Sequence, residues 1–363
     1  MKTTLRKAVF ATALILTSSL FVNCKDTATS KEDKVASLAL ENSIDFKTQE
    51  EVITRKPLVF ITGFDQGNEH YYDAARAFFE EKKFEIVEDQ YSVEEIINWL
   101  NRNGSKDPYG EIHIVNKSNP FKGMTLETVV HGEKVTTETL RENINKGTLP
   151  ILQESVNENT KIIFHANGIG ENKELMSAFR DAFCAHELPN VLASPYFSIF
   201  NGEFSNHYLA KPHYVFYPTA NSPGKVDLSK EIANKYPEEK DINWYEALQN
   251  EEERFVGEAY TTQFLIPLKF ELDYHNSDDE VPTFQSQEEL MDFIEQQEVL
   301  YAKVEQLKIP IEKFRWTYRM KNSTLIITGK STGLVVLKPL IKPYGELRYI
   351  QPDTNNKRLY AMK

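Results

Sequence analysis

The sequence predicts an α/β fold, a three-layer sandwich built on a mostly parallel sheet, with a smaller α+β appendage at its C-terminal end. Three observations point there. Short apolar runs without a polar face recur through residues 56–220, as expected of strands buried on both sides. Stretches with apolar residues at helical spacing separate them. The connections are short, so strand and helix alternate over a covered sheet.

The elements follow in order. Pro57-Leu58-Val59-Phe60-Ile61-Thr62 is the first strand, ending at Gly63. Glu69 to Lys83 brings Tyr72, Ala75, Phe78 and Phe79 to one side of a helix. Phe84 to Val87 is a second strand, and Ser92 with Glu95 forms a capping box for a helix carrying Ile96, Ile97 and Leu100. Glu111 to Val115 is a third strand. A small antiparallel excursion is expected at Leu126 to Val130 and Glu133 to Thr136, then a helix from Thr137 to Asn145. Strand Lys161 to His165, helix Glu171 to His186, strand Val191 to Phe200 and strand His213 to Tyr217 complete the domain.

Residues 221–363 read as an α+β region. Its expected elements are a helix at Trp244 to Phe255, a strand at Phe264 to Leu272 and one long helix from Gln287 to Leu307. Strands follow at Lys313 to Met320, Thr324 to Thr328 and Leu334 to Lys338. Thr328-Gly329-Lys330-Ser331-Thr332-Gly333 lacks the first glycine of a phosphate loop, its place being held by Thr324, and reads as a hairpin turn. Tyr344 to Lys363 either packs back on the domain or hangs free.

The leader has its own physics. Lys2, Arg6 and Lys7 precede an uncharged apolar stretch, Ala8 to Val22, and a polar chain begins directly after Cys24. That core has signal-peptide length and is short for a bilayer span. Ser19 to Cys24 resembles a bacterial lipobox, with Phe21 and Asn23 departing from its commonest residues. The resemblance implies residues 1–24 as a signal peptide ending at a lipid-anchored Cys24, and 25–55 as a flexible tether. It further implies a lipid-anchored place in the cell envelope, outside the cytoplasm, at the outer membrane in a Gram-negative source. Two or three acyl chains would hold the protein where one binds only marginally.

The formal charge is −12, and loss of the leader removes three cations and no carboxylate. Such acidity argues against duplex nucleic acid as a partner, and against a polybasic grip on anionic lipid. Two cysteines, Cys24 and Cys184, exclude a disulfide framework or a cysteine-rich zinc site, and the spacing of His207 and His213 is not that of metal ligands. No cofactor is expected.

Parallel sheets place their sites at the carboxyl ends of the strands. Two such ends carry the most polar chemistry: Asn116-Lys117-Ser118 after the third strand, and His165-Ala166-Asn167-Gly168 after the fourth. With the element order, these segments resemble the caspase-like fold of the clostripain, gingipain and caspase peptidases over roughly residues 56–220. In that fold a histidine ends the third strand, a small hairpin follows it, and a cysteine ends the fourth. The histidine position falls on Lys117, with Ser118 in place of glycine; the cysteine position falls on Asn167, with Ala166 in place of glycine. An amide cannot replace a thiolate, and an ammonium is a poor match to imidazole near neutral pH. The resemblance therefore implies a domain that binds or assembles, with a protein or peptide partner, without the inherited peptidase activity. Lys117, Asn167, His165, Asn116 and Gly168 are the crevice candidates. The alternative is a hydrolase using other groups of the same crevice, such as His165 with Asp65 or Glu171.

Overall fold

The computed structural model describes residues 55–363 apart from 68, 105–106, 276–279 and 343–346. Cys24, the leader and the tether up to residue 54 lie outside the described residues. Thr54–Lys363 cluster as one compact unit, a mixed α/β fold with eight α-helices among the described residues.

The first sheet contains β1 (Leu58–Ile61), β2 (Glu85–Val87), β3 (Glu111–Val115), β6 (Lys161–His165), β7 (Asn190–Ala193) and β13 (Ala361–Met362). Their spatial order is β2, β1, β3, β6, β7, β13, with every neighbour parallel except β13, which runs antiparallel to β7. Between β3 and β6 come a two-stranded hairpin, β4 (Ser118–Asn119) and β5 (Gly123–Met124), and helix α3 (Thr137–Lys146). The expected excursion at 126–136 is a single bridge, Glu127 with Lys134, flanked by bonds from Val135 N to Leu126 O and Thr128 N to Glu133 O, and the two-stranded pairing lies earlier, at 118–124.

The order of the strands dictates which face each helix covers. Helix α1 (Tyr71–Glu81) links β1 to β2 in one direction across the sheet, whereas α2 (Val93–Arg102), α3 and α4 (Lys173–Ala182) belong to crossovers running the other way. Right-handed crossovers then put α2, α3 and α4 on one face and α1 alone on the other. The first face is the largest core, with Leu58, Phe60, Ile114, Phe164 and Val191 under the three helices. On the second face α1 packs on Val59, Ile61 and Val115, with its Phe79 against His113 and His165. Half of that face would be bare.

A second sheet and the C-terminal tail fill the gap. The expected strand Val191 to Phe200 is two strands, because Ser194-Pro195-Tyr196 turns the chain out of the parallel sheet: β7 ends at Ala193 and β8 (Phe197–Gly202) starts a new one. β9 (Ser205–Pro218) pairs antiparallel with β8 and packs Leu209 against Ile163 and Leu192. The strand predicted at 213–217 is thus the far half of β9 and belongs to the antiparallel sheet. Leu359 and Tyr360 of the tail join the same cluster, so the tail packs back. The second covering layer is one helix and part of a sheet rather than a full layer of helices.

The second sheet continues through β10 (Tyr260–Asp273), β11 (Arg315–Lys321) and β12 (Thr324–Pro339). β12 is a single strand of 16 residues, so residues 328–333 do not turn. Its glycines are explained by packing instead: a Cβ on Gly329 would lie 2.5 Å from the Trp316 ring. The actual hairpin turn is at Asn322 and Ser323, both with positive φ. β10 flanks β12 along its length, while β11 and β9 share the opposite edge. This sheet thereby joins strands from both sides of residue 220.

Helices α7 (Gln287–Gln296) and α8 (Glu298–Gln306) cover Ile266, Phe270, Trp316 and Leu325. They replace the single helix expected at 287–307, because Gln297 is extended between them. α5 (Lys225–Lys235) and α6 (Trp244–Ala247) cover Val215 and Val336 on the other face, α6 being shorter than the helix expected to Phe255.

Candidate functional site

The strand order reverses between β1 and β3, and a parallel sheet leaves its crevice at the carboxyl ends of such a pair. Here Tyr72 fills that position. Its ring lies on Gly63, where a Cβ would sit 2.2 Å from the ring, and its hydroxyl accepts a hydrogen bond from Lys117 N at 2.8 Å. Burial raises the phenol pKa, so it stays protonated. Asp65 fixes the helix that delivers Tyr72, accepting from Tyr72 N and Asp73 N at the start of α1, each at 2.9 Å. The sequence marks Tyr72 only as a core residue of a helix; Gly63 at a strand end was the available signal for close packing.

The five crevice candidates divide by role. Asn116 is fully buried and knits three strand-end segments: its amide donates to Thr62 Oγ1 at 2.8 Å, and its carbonyl accepts from Thr125 N at 3.0 Å. Lys117 reaches solvent and pairs with Glu69 at 2.7 Å, an exposed pair of small energetic weight. Asn167 is locked to the neighbouring strand end by two bonds it donates, its N to Ser118 Oγ at 2.7 Å and its amide to Ser118 O at 3.1 Å. Gly168 takes φ +70, which lets the chain turn from β6 into the short 3-10 segment Ile169–Glu171. Ser118→Ala removes the partner of Asn167 N, and we expect a loss of about 1–2 kcal/mol in urea unfolding.

His165 is elsewhere. Where the sequence suggests a side chain facing the crevice, the imidazole is buried under the sheet and meets His113, Nε2 to Nδ1, at 2.8 Å. His113 and His165 are diagonal neighbours on adjacent strands, so the parallel register stacks them, with ring centroids 5.1 Å apart. A third histidine, His207 of β9, lies 5.4 Å from His165 and bonds Ser198 Oγ at 2.9 Å. Phe78, Phe79, Phe84 and Phe200 wall the group, Phe200 stacking on His207 at 4.4 Å. Nothing in the sequence links His207 to the other two, because only the docking of β9 brings it there.

Burial depresses all three imidazoles, His207 to about 3, and the nearby Lys82 ammonium pushes His113 and His207 further down. The trio is therefore neutral near pH 7. His113 Nε2 and His165 Nδ1 have no hydrogen-bond partner, and Glu111 lies 3.6 Å from His113 Nε2. These distances favour a proton on His113 Nε2, facing the carboxylate, and one on His165 Nε2, donating to His113 Nδ1. The atom left bare is then the acceptor His165 Nδ1, a cheaper orphan than a buried N–H. His165 is 4% exposed and its Nε2 is committed to His113, so it does not face the strand-end crevice and the cluster packs as core.

Asp65 is committed to helix α1, and Glu171 lies near Tyr214 and Tyr236 of the second half, so neither stands beside His165. Phe121, at the tip of the β4–β5 hairpin, packs edge-to-face against both Tyr214 and Phe216, 5.5 Å from each ring. The C-terminal half thus closes one side of the strand ends, and Gln306 of α8 adds a bond to Glu138 of α3 at 3.0 Å. Cys184 follows α4, which carries the chain back toward the amino ends of the strands. Among the described residues, no group of three or more His, Cys, Asp or Glu side chains is arranged to hold a metal. Nor is any helix among them long and apolar enough to cross a membrane. Comparison of the chain with family models, curated proteins and solved structures finds no match.

Proposed function

We propose that this chain is a membrane-anchored, extracytoplasmic lipoprotein whose α/β domain is caspase-like and serves binding or assembly in place of peptidase chemistry. One observation carries the reading of the domain. At the two adjacent strand ends, where the resemblance places an imidazole and a thiol, stand Lys117, paired with Glu69, and Asn167, tied to Ser118. The β4–β5 hairpin directly after β3 supports the resemblance, and Tyr72 in the switch-point crevice argues against a substrate cleft there. A binding partner then meets the rim formed by exposed Phe64, Tyr91 and the Lys117–Glu69 pair.

The purified protein is expected to leave a broad panel of peptide and ester substrates unturned. Turnover lost in Lys117→Ala or His165→Ala, with the fold intact by circular dichroism, would overturn the non-catalytic reading. For the anchor, Cys24→Ser is expected to move the protein from the detergent phase to the aqueous phase. Unchanged partitioning would contradict lipidation.

A further inference from the structure

We propose that the open face of the β10–β12–β11 ribbon is a docking surface for the phosphate headgroups of an anionic bilayer, a deepening that rests on the anchored-lipoprotein reading. Along β10 every even residue from Tyr260 to Leu272 faces the core side, and Gln263, Leu265, Pro267, Lys269, Glu271 and Asp273 face out. The register carries this face across three strands. Pro267, Lys330 and Arg315 form one row; Lys269, Thr328 and Thr317 the next; Glu271, Ile326 and Arg319 the third; Asp273, Thr324 and Lys321 the last.

Five cations therefore share this face with two carboxylates, on a chain whose formal charge is −12. Lys269 pairs with Glu271 at 2.5 Å, and the positive charges of Lys321 and Arg319 also lie close enough to depress that carboxyl. Arg315 and Lys330 stand directly opposite each other, and neither has an ion pair among the described residues. Like charges in direct cross-strand register are destabilising, so the fold bears this pair at a cost. An anionic layer would relieve it.

Shape selects the occupant. Three strands present an exposed area about 10 Å wide and about 20 Å long, broader than a single extended polymer strand would need. Exposed Leu265 and Pro267 at its margin suit the boundary between headgroup and acyl chain. The acidic remainder of the protein is repelled by the same layer, which orients this face inward. The 30 residues between Cys24 and Arg55 span at most about 100 Å, so an anchored domain never leaves the bilayer's neighbourhood.

The test uses the chain from Lys25 to Lys363, which keeps the whole compact unit and lacks Cys24, so its outcome is independent of lipidation. It is sedimented with vesicles of phosphatidylcholine alone or with one third phosphatidylglycerol. Binding only to the anionic vesicles is expected, weakening as salt rises. Arg315→Glu with Lys330→Glu should weaken it by roughly tenfold or more. The same reversal at Lys225 and Lys230 of α5 should leave it unchanged. Equal binding to neutral vesicles, no binding, or equal losses in both double variants overturns the proposal. So does capture by a soluble polyanion such as heparin without vesicle binding.

Discussion

Lowering the pH from about 7 to about 5 is expected to remove much of the domain's stability, through His113, His165 and His207. Each is held neutral by burial, with its folded-state pKa below the unfolded value of 6.5. For a depressed pKa, the stabilising contribution is complete above the unfolded value and is lost as pH falls toward the folded one. Below pH 6.5 the unfolded chain therefore binds up to three protons that the native state refuses. Three such groups give a slope of up to about 4 kcal/mol per pH unit, against a typical total of about 5–15 kcal/mol.

Glu253 opposes the trend, one carboxyl against three imidazoles. Its carboxyl, buried beside Tyr349, is raised by burial, so it stabilises below its unfolded pKa and ceases to do so as pH rises through the folded one. Thermal unfolding followed by circular dichroism across pH 5–8 checks the slope. The double variant His113→Leu, His165→Leu should flatten the slope to what His207 leaves, because apolar groups replacing both partners remove two of the three protonation sites. A midpoint independent of pH across that range in the wild type would mean that the histidines gain protons without unfolding.

Gly170→Ala should be strongly damaging, costing about 3 kcal/mol in denaturant unfolding. A Cβ there would meet Ala193 O at 2.4 Å and Pro195 N and Ser194 C at 2.6 Å, all backbone atoms. Nothing flexible can yield. Gly170 N also donates to Ser194 O at 3.0 Å, so the clash falls where the chain leaves the parallel sheet for the antiparallel one. Moving it apart disturbs β7 and β8 together. Gly110→Ala is the control: a Cβ there meets nothing within 4 Å, and its unfolding midpoint should be unchanged. Equal midpoints for both variants would show that the seam is softer than its geometry.

The parallel half was legible because each of its elements is specified locally. β1, β3 and β6 are short β-branched runs, and α2 begins at Ser92, whose hydroxyl accepts from Glu95 N as the capping box requires. The antiparallel half was less legible. β12 alternates poorly because Gly329 and Gly333 interrupt it, and glycines in a strand look like a turn until Trp316 and Phe216 are seen lying over them. At the site, the strand-end residues were found where expected, yet their roles depended on neighbours. Asn116 and Asn167 are knots between loops, and His165 points the other way from the strand end that it closes.

By itself, then, the sequence determined a mixed α/β fold, the parallel strands and the polar residues at their carboxyl ends, since buried periodicity and caps are short-range signals. Tertiary structure alone decided that Tyr72 fills the switch point and that β9 seals three histidines beneath the sheet. It also decided that an open ribbon of an acidic protein carries five cations in register. Each of these depends on residues brought together by strand order and register, which no local spacing encodes.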